Sequence, residues 1–178
     1  VPQQAADADR AGRHEHRGQA VRDAVALAPR LTVAAGLSAL TPFGLRGSLR
    51  FTARFESEKA PVTCAAFAAI LPFETQLVQA RWSGEAVWVP LGEFDTGLGF
   101  ENHTSHPSRG DILLYPGGLS ETEILFAYGS SCFASKMGQL AGNHFLSVVE
   151  GAEQLHEMGR TVLWKGAQWI RFTDLGER

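Results

Sequence analysis

The sequence predicts a mainly β protein, a closed or nearly closed β-barrel with helices plugging its ends. Short segments with the two-residue period of strands recur from residue 47 onward, and glycine- and proline-rich turns separate them. Only two segments in that range have helical spacing. No internal repeat is visible, so a single domain is predicted at this length.

Length and composition are those of an ordinary soluble domain with a proper core. The 178 residues are 44% hydrophobic and 20% charged. A net charge of −3 gives no sign of a nucleic-acid partner, and no apolar run reaches the ~18 residues that cross a membrane. Two cysteines, Cys64 and Cys132, favour reduced thiols in a cytoplasmic protein, with a single bridge as the alternative.

Residues 1–46 differ from the rest and are predicted to form an N-terminal extension, partly flexible, before a barrel domain at 47–178. The first 18 residues are polar and lack aromatic side chains, a composition that cannot build a core. Gln19–Leu31 has alanines and valines at helical spacing, which favours a short amphipathic helix. Arg30 interrupts the apolar run, so a secretory signal is not predicted.

Two helices are predicted within the domain. Ala60–Leu71 is largely apolar, with Pro61 suited to its first turn and Pro72 ending it. Gly151–Met158 is a short helix that Gly159 is expected to close. The predicted strands, each alternating or fully apolar, are Ser48–Ser57, Gln76–Trp82, Glu85–Pro90, Gly110–Tyr115, Thr122–Tyr128, His144–Val149 and Thr161–Thr173.

Several motifs resemble those of cyclophilins and of small bacterial cyclophilin-like proteins of unknown function. Lys59–Leu71, KAPVTCAAFAAIL, is similar to the cyclophilin AP-x-T-x-x-x-F helix, and Val148–Glu157, VVEGAEQLHE, resembles the VVEGM strand before the second helix. RWSGEAVWVPL and GDILLYPGG resemble the W-G-x-E and GD-x-x-Y-x-P motifs of the bacterial family, in register over about Gly47–Asp174. The resemblance implies a cyclophilin-like barrel of about eight strands with two capping helices.

The motifs of cyclophilin catalysis are not matched. Cyclophilins place an arginine in an F-H-R strand beside a proline pocket, whereas the corresponding strand here is Gln79-Ala80-Arg81-Trp82, with no Q-G-G-D after it. The resemblance therefore does not favour an active peptidyl-prolyl isomerase, and whether the chain is an enzyme stays open.

A tryptophan-bearing hairpin is the first candidate site. Arg81 and Glu85 would orient a ligand while Trp82 and Trp88 wall an apolar pocket, the alternative being that the tryptophans are core residues. Arginine has more donors than one glutamate can satisfy, so spare capacity is predicted for a small carboxylate- or amide-bearing metabolite.

The loops beside the hairpin supply imidazole and carboxylate groups. Arg81, Glu85, His103 and His144 are predicted to converge on one solvent-accessible cavity that includes Trp82. The full set of ligand-binding candidates is Arg81, Trp82, Glu85, Trp88, Glu101, His103, Tyr115, Glu121, Asn143 and His144.

Metal binding is a weaker alternative. The E-x-H-x-x-H spacing of Glu101, His103 and His106 could bind zinc, although loop histidines more often bond neighbouring carbonyls. No metal and no cofactor is favoured.

Catalytic groups are candidates only. Cys132 could act as a nucleophile with His103 or His144 as base and Lys136 lowering its pKa, the alternative being a small side chain behind a loop. Glu121 and Glu123 share a strand face and could form an acid–base pair, or simply an exposed acidic strand end. The catalytic candidates are Arg81, Glu85, His103, Cys132 and His144.

Three functions are consistent with these patterns. The first, which we favour, is a barrel that binds a small polar metabolite in a pocket, with or without catalysis. The second is a peptidyl-prolyl-isomerase-like or peptide-binding module without strong activity. The third is a structural oligomerising domain, with Phe43, Phe94 and Phe100 at its interface, so a homo-oligomer is left open.

Overall fold

The computed structural model of the chain describes residues 32–36 and 49–174. The predicted helix Gln19–Leu31, most of the predicted extension and Phe43 lie outside the described residues. The strands are β1 Thr32–Gly36, β2 Arg50–Phe55, β3 Phe73–Gln79, β4 Gly84–Gly92, β5 His103–Thr104, β6 Asp111–Tyr115, β7 Thr122–Ser131, β8 Ala134–Ser135, β9 Gly138–Gln139, β10 Gly142–Glu150 and β11 Gln168–Asp174. The helices are α1 Pro61–Ala68 and α2 Leu155–Lys165, the second preceded by a 3-10 turn at Ala152–Gln154.

One antiparallel sheet dominates the described residues, so the mainly β prediction is confirmed. Its strand order is β2-β1-β11-β3-β4-β7-β6-β10-β5, and β10 additionally pairs with β2. Strands β8 and β9 form a separate hairpin. Within residues 49–174 the sheet is a half-barrel whose edges, β2 and β11, do not pair with each other. Neither helix among the described residues is long and apolar enough to cross a membrane.

Strand β1 lies in the segment that the sequence analysis assigned to the extension. It pairs antiparallel with both edges of the half-barrel, with Val33 opposite Ala53 of β2 and Asp174 of β11. The run TVAAG has two β-branched residues, Thr32 and Val33, but ends in three small residues with little β-propensity, and it follows an alanine-rich helical pattern. Its place in the sheet therefore depends on its two partners rather than on its own sequence.

Helix α1 fills the inside of the curved sheet through Phe67. The Phe67 ring packs edge-on against Phe145 of β10, Phe172 of β11 and Phe73 of β3, with ring centroids 4.9, 5.3 and 6.2 Å apart. These contacts join strands from opposite parts of the half-barrel to one helix. Each fully buried aromatic contributes about 1.5–3 kcal/mol through removal of apolar surface from water.

A second, smaller cluster lies on the outer face of β4, β7 and β6. The segment after β7 folds back over this face and covers it with Phe133 and Leu140, both buried. Alternate residues of the three strands form the surface beneath, which consists of Ala86, Leu113, Tyr115 and Leu125, with Trp88 packed at its side.

The predicted end of the second helix was wrong. Helix α2 continues through Gly159 to Lys165, and Gly166, with φ of +84°, follows its last residue. A Cβ at position 159 would overlap the ring of Tyr128, so this glycine permits close packing of α2 on β7. The predicted strand Thr161–Thr173 is therefore helical at its start, and only β11 is extended. Helix α1 likewise ends at Ala68, three residues before the predicted end at Leu71.

We expect Phe67→Ala to lower the free energy of unfolding by about 3–5 kcal/mol, because it removes the ring that joins three strands and leaves a cavity. Urea unfolding at pH 7 measures the change. Ile70→Ala is the control, since Ile70 lies just beyond the helix and is 48% exposed. Equal losses from the two substitutions would contradict the role assigned to Phe67.

Candidate functional site

A cleft of about 580 Å³ opens where β4, β7, α2 and the loop before β6 meet. Strands β4 and β7 supply one side, the loop supplies a second, and α2 supplies a third. The residues that line it are Glu85, Pro107, Ser108, Arg109, Tyr128, Gly129, Ser130 and His156.

The Glu85 carboxylate lies flat on the backbone of β7. Its Oε2 accepts a hydrogen bond of 2.8 Å from the amide of Ser130. A side chain at Gly129 would overlap this carboxylate and the Glu85 Cβ, so glycine is required for the approach. Glu85 is thereby held in one position at the wall of the cleft, with its second carboxylate oxygen unbonded within residues 49–174.

Arg109 is positioned by a tightly bonded loop. The amide of Ser108 donates to Asp111 Oδ2 at 2.8 Å, and the amide of Gly110 donates to the carbonyl of Ala127 at 2.8 Å. Arg109 Nη2 donates to the carbonyl of Ala152 at 2.7 Å. A guanidinium has five N–H groups, so most of its donors have no acceptor in the described part of the chain.

Tyr128 lines the cleft, and its hydroxyl oxygen keeps acceptor capacity. Gln79 Nε2 donates to the carbonyls of Ala80 and Gly84, which leaves Gln79 Oε1 as an acceptor. Tyr128 donates its proton to that oxygen over 3.3 Å. The remaining lone pair on the hydroxyl oxygen can only accept a hydrogen bond from a ligand.

Opposite charges line the cleft without neutralising each other. No ion pair joins Arg109 to Glu85 among residues 49–174, although both border the same space. His156 from α2 adds an exposed imidazole to the cleft. The site thus offers a cationic donor on one side and two acceptors, Glu85 and Tyr128, on another.

Of the four side chains predicted to converge on one cavity, only Glu85 lines this cleft, and the convergence of the other three stays a prediction. Strand β3 ends at Gln79, and Arg81 therefore lies exposed in the bend before β4 instead of on a strand. Trp82 occupies the same bend and is 60% exposed. Trp88 packs at the outer cluster and does not line the cleft either.

His144 belongs to a separate polar network on β10. Its Nε2 lies 2.9 Å from Ser147 Oγ and 3.2 Å from Asp111 Oδ1. Ser147 donates its own proton to Glu56 Oε1 at 2.9 Å, so its oxygen accepts from the His144 Nε2–H. A serine-histidine-aspartate triad requires the two ring nitrogens to face different partners, whereas here one nitrogen serves both. The network is therefore structural.

Glu56 is the charged centre of that network. Burial is the largest effect on its carboxyl and raises the pKa, but hydrogen bonds from Arg54 and Ser147, with the charges of Arg54 and His144, outweigh burial. The net effect is a pKa below the usual range. Arg54 lies 3.0 Å from the carboxylate and Lys59 lies 3.7 Å from it.

Glu101 and Asn143 have a structural role as well. Helix α1 has Ala60 at its N-cap and no capping side chain of its own. The Glu101 carboxylate instead accepts a hydrogen bond from the Thr63 amide in the first turn. The fully buried Asn143 bonds Thr63 Oγ1, the Gly99 carbonyl and the Glu101 amide, and so fixes the loop to the helix.

The zinc candidates do not form a cluster. Glu101 is hydrogen-bonded to α1, the His103 ring is tilted against Phe100 with centroids 5.3 Å apart, and His106 Nε2 lies 3.5 Å from Gln139 Nε2. No group of three or more metal-ligating side chains occurs among residues 49–174.

The two thiols differ in environment. Cys64 is buried, and burial raises its pKa to about 12, with a smaller contribution from the charge of Glu101. Cys132 is exposed, and its sulfur accepts a hydrogen bond from Gln139 at 3.7 Å. No imidazole bonds to Cys132 in the described residues, so the predicted pairing with His103 or His144 is not seen.

The acidic pair at 121 and 123 is not a simple exposed strand end. Glu121 is exposed, and its carboxylate accepts from the Gly92 amide at 3.1 Å. Glu123 is only 7% exposed. Burial, and to a smaller extent the charge of Glu121, raises the pKa of Glu123 to about 7.

Three cleft residues were missed by the sequence analysis. Arg109, Tyr128 and His156 come from three segments that carry no shared motif. The one available signal was Arg109 itself, which is the single basic residue between Arg81 and Lys136.

Fold and site thus define the class of this protein, which is a mainly β, half-barrel domain with a polar cleft beside its second helix. Residues 45–174 match the family described as "Protein of unknown function (DUF3830)", and the chain belongs to that family. None of the curated proteins compared with the chain matches it.

Two solved structures resemble the chain. McbB, determined in complex with tryptophan, is 18% identical with a TM-score of 0.58, over 82% of this chain and 45% of McbB. This chain therefore spans less than half of McbB, and the likeness shows a shared fold. The solution structure of the hypothetical protein AF2241 from Archaeoglobus fulgidus is 14% identical with a TM-score of 0.47, over 81% of this chain and 94% of that one.

We expect Gly129→Ala to destabilise the chain by about 1–3 kcal/mol, because the new methyl group overlaps the Glu85 carboxylate. Gly99→Ala is the matched control, since a methyl group at residue 99 meets open space and neither glycine has a positive φ. Chemical denaturation measures both. Adding Glu85→Ala to Gly129→Ala should recover the part of the loss that the carboxylate causes, since the Cβ at residue 85 remains, and a double-mutant cycle without coupling would contradict the contact.

Proposed function

We propose that the chain binds a small zwitterionic metabolite of the α-amino-acid type in the cleft between β4, β7 and α2. The observation that carries the proposal is the presence of Arg109 and Glu85 at one cleft without an ion pair between them. A ligand with both charges satisfies both side chains, whereas a ligand with one charge leaves the other unpaired. Catalysis is not part of the proposal.

The donor and acceptor pattern assigns each end of the ligand. The free N–H groups of Arg109 suit a carboxylate, which a guanidinium binds with two parallel hydrogen bonds. Glu85 and the Tyr128 hydroxyl oxygen both accept, which suits an ammonium group with its three donors. The cleft volume of about 580 Å³ lies in the usual range for small-molecule sites.

McbB is a structural neighbour whose structure holds tryptophan, itself an α-amino acid. At 18% identity the likeness concerns the fold, so the charges of the cleft carry the proposal for this chain. Tryptophan nevertheless provides a convenient first probe, since it has close analogues that lack one charge.

The proposal includes the architecture around the cleft. We propose that residues 47–178 form a cyclophilin-like barrel that β1, from the extension at 1–46, completes by pairing with β2 and β11. A bacterial, cytoplasmic origin accords with the motif likeness and with two free cysteines in the described residues. Ligand-binding roles for residues outside the cleft, such as Arg81 and His103, stay predictions.

The test begins with a panel of the common L-α-amino acids, each titrated into the chain with amide chemical shifts as the readout. The amino acid that binds most tightly is then compared with its decarboxylated amine and its deaminated acid. L-Tryptophan is used if several amino acids bind equally well. We expect each analogue to bind about 10- to 100-fold more weakly, because each loses one charged hydrogen-bonding group.

Variants assign the two ends. Arg109→Met should weaken the amino acid and the acid but leave the amine unchanged, and Glu85→Gln should do the opposite. Arg50→Met is the control, as Arg50 is exposed and outside the cleft. Failure of every amino acid to bind at 10 mM, or equal affinity of the amino acid for wild type and Arg109→Met, would overturn the proposal.

A further inference from the structure

A second feature lies on the outer face of the sheet, apart from the cleft. Glu123 of β7 is directly opposite Pro90 of β4 and Tyr115 of β6. Trp88 is opposite Leu125, one step along the same face, and so is a diagonal neighbour of Glu123. A carboxyl group therefore sits among a proline and two aromatic side chains.

Glu123 has no polar partner in the described part of the chain. It is 7% exposed, and no hydrogen bond or ion pair reaches its side chain from residues 49–174. Its carboxyl oxygens keep a narrow contact with solvent, since no fully buried side-chain oxygen lacks a partner there. A glutamate placed this way is costly to ionise, and a purely structural residue at this position would need no carboxyl.

The surroundings contain no basic side chain that could compensate. Tyr115, on the neighbouring strand, accepts a hydrogen bond at its hydroxyl from the Leu119 amide, at 3.0 Å. Glu121, which immediately precedes β7, adds a second negative charge close to Glu123. Residues 82–108 and 110–135 contain no lysine or arginine, and β4 contributes Ala86, Trp88 and Pro90 to this face.

An exposed apolar rim, formed by Phe94, Phe100 and Leu119, borders this end of β6 and β7. Phe100 contacts Tyr115, with ring centroids 6.2 Å apart, and is 54% exposed. Leu119, bonded to the Tyr115 hydroxyl through its amide, is 57% exposed. Phe94, whose carbonyl accepts from Thr122 Oγ1 beside Glu123, is 58% exposed. Aromatic faces attract cations as well as apolar groups.

We infer that Glu123 anchors a second binding site, on the outer sheet face between Trp88 and Tyr115, for a small organic amine with an apolar body. The ammonium group would pair with the carboxyl, and the apolar body would cover the exposed rim. Charge complementarity selects this ligand, because burial and the charge of Glu121 both disfavour the ionised carboxyl, and an ammonium group beside it would stabilise that form.

Binding has a defined proton balance. At a pH below 7 the Glu123 carboxyl carries its proton, since burial and the charge of Glu121 raise its pKa to about 7. An ammonium ion that binds keeps its own protons, and the carboxyl proton leaves to solvent. His103, whose ring is tilted against that of Phe100, is a further titratable group at the edge of the rim.

The experiment uses phenethylammonium as the probe and 2-phenylethanol as its neutral counterpart. Isothermal titration at pH 6 in two buffers of different ionisation enthalpy counts the protons released. We expect phenethylammonium to release a substantial fraction of one proton at pH 6 and almost none at pH 8.5, and 2-phenylethanol to release none. This measurement uses the unaltered chain and does not depend on the folding of a variant.

Variants separate this site from the cleft. Glu123→Gln should weaken phenethylammonium at least 10-fold and abolish the proton release. Glu93→Gln, which removes an exposed acid nearby, should change affinity less than twofold. Glu85→Gln should leave the proton release intact, because Glu85 belongs to the cleft. Affinity or proton release unchanged in Glu123→Gln, or no binding to wild type at 20 mM, would refute the site.

The pH dependence of stability provides an independent test of the protonation of Glu123. A folded-state pKa of about 7, above the unfolded value of 4.5, means that the folded chain binds more protons between those values. The urea midpoint of the wild type should therefore fall relative to that of Glu123→Gln as pH rises from 4.5 to 7. If the urea midpoints of wild type and Glu123→Gln changed equally with pH, Glu123 would not be protonated in the folded chain in this range.

Discussion

The close contact between α2 and β7 is the constraint on which the cleft depends. The Tyr128 ring occupies the space that a side chain at residue 159 would need, so only glycine lets the helix reach the strand. That contact sets the position of His156 on the same helix and of Ala152, whose carbonyl holds Arg109. The glycine at residue 159 thus helps to position the sides of the cleft that α2, β7 and the Arg109 loop supply.

Burial of polar side chains costs free energy, and this domain accommodates them in two opposite ways. The network around Glu56 joins polar groups to one another, from Arg54 through Ser147 to His144. The cleft and the outer face instead hold charged or ionisable groups with spare capacity, at Arg109 and Glu123. Because a buried ionisable group without a partner destabilises a fold, a position such as that of Glu123 indicates recognition more clearly than histidine-rich loops do.

Local periodicity accounts for the part of the fold that the sequence predicted. The alternation in Ser48–Ser57 and the apolar run of Gly110–Tyr115 predicted β2 and β6 within two residues of their ends, since side-chain period follows directly from strand geometry. Gly159 was misread because a helix-ending glycine and a close-packing glycine look alike in sequence. Of the site, only Glu85 was predicted, because Arg109, Tyr128 and His156 meet solely through tertiary contacts.

Strand β1 has a consequence for how the chain can be divided. The family match begins at residue 45, after β1, yet β1 occupies the space between β2 and β11. A fragment that starts at the family boundary would leave unpaired those backbone N–H and C=O groups of β2 and β11 that face β1. Such open edges pair with strands from other molecules. Strand β1 therefore protects the chain against self-association in addition to completing the sheet.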